Sequence, residues 1–136
     1  HIGTSIVDHV STIHSIFDAL QDLGDEEVLD ILERYLIDLN RESMLSLKLI
    51  SRSVFTDLKR LASLLIWLSN IRGYKIVDVS PVEDPESNEI LFIGIYIGNC
   101  GWEEWRVLSK LVKKQLVDEG FDDVAQRVAI ICTKAL

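Results

Sequence analysis

Cys100 is the residue whose type and placement come nearest to chemistry. It lies in the turn Gly98-Asn99-Cys100-Gly101, between a β-rich run and a stretch of helical period. A thiol at a helix N-terminus is shifted toward the reactive thiolate. Glu103 and Glu104 come next and would repel that thiolate, and the candidate bases His9 and His14 are far away in sequence. The expectation is that Cys100 fills a turn, with nucleophilic or redox catalysis the weaker reading. Cys132, inside an apolar run, is expected to pack in the core. Two cysteines are too few for a disulfide framework, and nothing resembles a secretory signal, so a reducing, cytoplasmic setting is expected. The chain opens on His1 with Met44 as its only methionine, as a tagged or trimmed N-terminus would.

Other constellations are incomplete. The Gly98–Gly101 turn could offer backbone N–H groups to a phosphate. It is neither GxGxxG nor a P-loop, and an anion there would meet the same two glutamates. His14 and Asp18 stand one helical turn apart, but two ligands do not make a zinc site. Asp84-x-Glu86-x-Asn88 opens like a calcium loop. Pro85 is next to the first acid, Glu89 replaces the required glycine and Ile95 replaces the bidentate glutamate. Phe92 and Tyr96 share one strand face, but no Lys or Arg lies between Lys75 and Arg106 to hold a nucleic acid. No cofactor, metal or catalytic centre is expected.

Charge is more informative. The 136 residues carry a net −8, which argues against binding polyanions over the whole surface. Its distribution is segmental: residues 1–40 carry −8, 41–73 carry +4, 74–104 carry −6, 105–117 carry +4 and 118–136 carry −2. Arg41, Lys48, Arg52 and Lys59 fall along one line of a helix, opposite the apolar stripe Leu47, Ile50, Val54, Leu58, Leu61 and Leu65. Arg106, Lys110, Lys113 and Lys114 likewise crowd one side of a later helix. These two groups are either contact surfaces for nucleic acid or an acidic protein, or partners for the acidic N-terminal helices, within the chain or across a dimer. The second account is preferred. Trp67, off the main apolar stripe, marks a further candidate contact.

The elements that must position these residues emerge from periodicity. Ile6, Val10, Ile13, Phe17 and Leu20 define one helix face, with Thr4 or Ser5 as cap and Gly24 as left-handed stop. A second helix opens on Asp25-Glu26-Glu27 and buries Val28, Leu32, Tyr35 and Leu39. A third helical stretch runs to Arg72 and stops at Gly73; as one helix it would reach ~45 Å, so it breaks near Ser51 to Ser53 or projects toward a partner. Tyr74 to Val79 reads as a strand closed by Pro81, Glu83 to Asn88 as a hairpin loop, and Ile90 to Ile97 as a strand covered on both faces. Gly94 within it suggests a close approach by another backbone or a helix. A helix from Trp102 to Glu119, buried through Trp105, Leu108, Val112 and Leu116, leads to a last strand at Val128 to Thr133.

The expected fold is therefore a single α+β domain over 1–136: a helical half, 1–73, then a ββαβ half, 74–136, with a small three-stranded mixed sheet. Its later part has a ferredoxin-like order lacking the first strand. No apolar run reaches the ~18 residues of a membrane span. The expected function is a non-catalytic protein-interaction or regulatory module, homodimeric, with an acidic protein as possible partner. Nucleic-acid binding through the basic helix faces is the alternative, and a small cysteine-dependent enzyme the third reading.

Overall fold

The computed structural model describes residues 12–54 and 57–135. Its order is α1 (Ile13–Ala19), α2 (Asp25–Tyr35), α3 (Arg41–Val54), α4 (Leu58–Ile66) running into a π-helical turn (Trp67–Ile71), β1 (Ile76–Glu83), β2 (Ile90–Ile97), α5 (Trp102–Asp118), α6 (Asp122–Arg127) and β3 (Val128–Cys132). This is an α+β fold with a three-stranded mixed sheet: β2 lies in the middle, antiparallel to β1 and parallel to β3.

Local chemistry accounts for most boundaries. The Thr12 side chain accepts from Ser15 N and starts α1; Ile6, Val10 and the proposed Thr4 or Ser5 cap lie outside the described residues. Gly24 is not a left-handed stop. With φ −81° it is the N-cap of α2, and its N–H donates to Glu27. Gly73 and Gly120 do take positive φ and end the helices before them. The third helical stretch is broken after Val54, a little beyond the expected serines, and Asp57 restarts the chain as α4 by accepting from Lys59 N.

The sheet corrects three expectations. β1 does not close at Pro81 but continues to Glu83, and Pro81 pairs opposite Ile93. An edge strand tolerates the missing N–H. β2 is not equally covered on both faces. Ile93, Ile95 and Ile97 are fully buried beside Val79, Val128 and Ile130, whereas Phe92 and Tyr96 on the other face are half-buried. Gly94 is approached by a side chain rather than a backbone: a Cβ there would meet the Tyr96 ring at 3.0 Å and Ile131 Cδ1 at 3.4 Å. The short helix α6 adds to the expected order, since periodicity gives no sign of it.

One hydrophobic core joins both halves, from Ile13 through Leu61 and Leu68 to Ile95, Val112 and Cys132. Polar contacts also bind them. Glu119, at the end of α5, accepts from His14 N at 2.6 Å and Ile13 N at 3.3 Å, so it caps α1 from across the molecule. Arg60 on α4 forms a two-point contact with Asp123 on α6, and its guanidinium lies over the Phe17 and Phe121 rings. That hydrogen-bonded guanidinium holds the Asp123 carboxyl below its ordinary value of 3.8.

Candidate interaction surface

Cys100 and Cys132 are joined as a disulfide, Cα atoms 5.1 Å apart, and both are buried. Parallel pairing brings the end of β3 beside the turn at the end of β2, and Ile97 is the register partner of Cys132. The bond corrects the expectation of one turn-filling thiol and one core thiol, and it leaves Cys100 without a thiolate in this state. His14 and Asp18 do meet, at 3.3 Å, but both side chains are exposed. No group of three or more potential metal ligands converges among the described residues. No helix among them is long and apolar enough to cross a membrane.

The first basic group is dispersed by the break between α3 and α4. Lys48 lies 3.5 Å from Glu26 and 3.9 Å from Asp25, both on the first turn of α2. Lys59 donates to the Gln21 carbonyl at 2.7 Å. Arg41 is exposed, and the side chain of Arg52 lies outside the described set. Trp67 is 4% exposed, with the Arg72 guanidinium over its ring. It is a core residue, not a second contact surface, because the helix it continues is buried at every position from Leu61 to Ile66.

The second basic group stays together. α5 buries Leu108, Val112 and Leu116, and Trp105 donates its indole N–H to the Ile130 carbonyl at 2.6 Å. That bond occupies a carbonyl on β3, an outer strand of the sheet. Away from this seam, Trp102, Arg106, Lys110 and Lys113 succeed one another at spacings of four, four and three along α5, all exposed. Lys114 pairs with Asp118 at 3.1 Å. Among the described residues, Arg106, Lys110 and Lys113 form no ion pair.

Trp102 is 58% exposed, its ring centred 5.2 Å from that of Trp105 and tilted 34° to it, and Val107 is 69% exposed. Shallow depressions flank Val107: one is lined by Trp102, Glu103, Arg106 and Lys110, the other by Arg72, Tyr74, Glu104 and Leu111. The sequence marks Trp102, with the other two tryptophans, as a residue type common at interfaces, but gives no sign of the exposed Val107 beside the cations.

Compared with known protein families, curated proteins and solved structures, the chain matches none.

Proposed function

We propose that this chain is a non-catalytic protein-interaction module, working as a homodimer, that binds an acidic protein through the outer face of α5. The observation that carries the reading is Trp102, an indole more than half in solvent at the head of a line of exposed cations. Tryptophan and arginine are among the side chains most enriched in binding hot spots, because a large rigid ring and a planar fork both gain when desolvated. Carboxylates on the partner would meet Arg106 and Lys110 while an apolar side chain covers Trp102 and Val107. An acidic protein fits better than nucleic acid. The patch is short and bordered by Glu103, Glu104 and Asp118, all exposed, and the chain as a whole is acidic. A continuous phosphate chain would run into those borders.

The test titrates the full chain with a synthetic Glu-rich amphipathic peptide, monitoring tryptophan emission. Trp67 is buried and Trp105 is hydrogen-bonded, so a response lost in Trp102→Phe reports this surface. Binding that weakens with salt and disappears in Arg106→Glu/Lys110→Glu supports the reading. Tighter binding to duplex or single-stranded DNA at the same ionic strength, or to anionic vesicles, overturns it.

A further inference from the structure

α3 carries two leucines at positions where a solvent-facing helix side usually carries polar residues: Leu45 is 58% exposed and Leu49 is 69% exposed. They lie on the side away from the buried Met44, Leu47 and Ile50. Glu42, Leu45, Leu49 and position 52, an arginine, stand at spacings of three, four and three, the repeat of a helix-pairing seam. The order of types along that seam is acid, leucine, leucine, base.

The geometry points to a second copy of this chain as the occupant, with two α3 helices packed antiparallel about a two-fold axis. In such an isologous contact the seam must be complementary to itself. The four positions are symmetric about residue 47, so position 45 meets position 49 of the other copy and position 42 meets its position 52, and both pairings occur twice. Leucine then stands against leucine and acid against base. A parallel pairing would set Glu42 on Glu42 and Arg52 on Arg52, like charge on like. Lys48, another cation of the helix, is engaged by Asp25 and Glu26 and does not compete for Glu42. Self-repulsion excludes α5 as a symmetric seam, since its antiparallel self-contact would bring Arg106, Lys110 and Lys113 onto themselves.

Two leucines per copy make a small interface, so the dimer forms in a concentration-dependent way. This inference rests on the dimeric part of the proposed function and is independent of the α5 surface. Sedimentation of the full chain over a concentration series tests it. The wild type should associate to a dimer, and Leu45→Glu/Leu49→Glu should be monomeric with unchanged circular dichroism. Glu42→Arg and Arg52→Glu should each raise the dimer dissociation constant about tenfold or more, and the two together should restore it. A wild type that stays monomeric at its solubility limit overturns the seam. So does a dimer that survives the double glutamate variant, or a combined charge swap no tighter than either single one. Arg106→Glu/Lys110→Glu should leave the dimer intact; its dissociation there would move the seam to α5 and overturn this assignment. A dimer that persists while the acidic peptide fails to bind supports the seam and sinks the α5 reading alone.

Discussion

In the helical half, Lys48 leans on Asp25 and Glu26, Lys59 gives its ammonium to the Gln21 carbonyl, and Arg60 grips Asp123 beside two aromatic rings. On α5, Arg106, Lys110 and Lys113 are exposed near an exposed tryptophan. The two regions carry the same segmental charge in the sequence and use it differently. Where a basic helix packs beside the acidic N-terminal helices, its cations hold elements together. On the outer side of α5 no described acidic element pairs with these three cations, and they remain available to a partner. Segregated charge therefore reports a surface only where the fold withholds the complementary segment.

A binding face on α5 needs a rigid platform. The start of the helix is tied to the end of β3 by the Cys100–Cys132 bond, which closes a ring with a sequence separation of 32. A cross-link of that span removes about 3–4 kcal/mol of denatured-chain entropy. Replacing both cysteines by alanine should lower stability by about that amount in urea unfolding. A loss under ~1 kcal/mol would show that α5 is held by packing alone. Ile93→Ala, at a fully buried position of the middle strand, should cost ~2–4 kcal/mol by leaving a cavity. A loss under ~1 kcal/mol would mean the sheet face collapses around the deletion.

The cohesive role of the other region has its own measure. Arg60→Ala should cost about 1–2 kcal/mol, combining a partly exposed ion pair with a cation–ring contact. Asp123 has its pKa lowered by the Arg60 hydrogen bond, so its contribution is present above the ordinary value of 3.8 and lost as pH falls through the lower folded value. Stability of the wild type should thus drop in acid more steeply than that of Asp123→Asn. Parallel pH curves would mean that the Arg60–Asp123 pair does not hold these elements together.

Much of the fold was legible because apolar period changes at Gly73 from helical to strand-like, and turn residues punctuate the strands beyond it. The order of strands came from one hairpin and one crossover. The features that stayed hidden depend on contacts between distant segments. The break between α3 and α4 is one of the outcomes expected from length, but its place after Val54 is not, because the apolar stripe stays in phase across it. Trp67 lies off the apolar stripe of its helix, but every position from Leu61 to Ile66 is buried, so the side that periodicity would leave to solvent is covered as well. The disulfide joins cysteines that only parallel pairing of β2 and β3 makes neighbours. On the surface, the cations of α5 could be read from spacing, whereas the engagement of Lys48 and Lys59 needed the packing of neighbouring segments beside them. Leu45 and Leu49 were legible in principle: they sit off the apolar stripe at seam spacing with Glu42 and Arg52.

The smallest expected effects decide most sharply whether the two basic regions differ. Lys48→Ala removes a partly exposed ammonium from two carboxylates, so it should cost ~0.2–1 kcal/mol and leave acidic-peptide binding unchanged. Arg106→Ala and Lys110→Ala remove exposed cations with no ion pair among the described residues, so stability should stay within about ±0.5 kcal/mol. Their peptide affinity should nevertheless fall, each by about tenfold if the contact is desolvated on binding. Salt should weaken the wild-type peptide complex far more than it weakens the fold, since exposed charges more than ~8–10 Å apart are screened at physiological ionic strength. Equal stability losses at Lys48 and Lys110 would mean that α5 also spends its charge on cohesion. The distinction between a binding face and a packed one would then fail at the residue level.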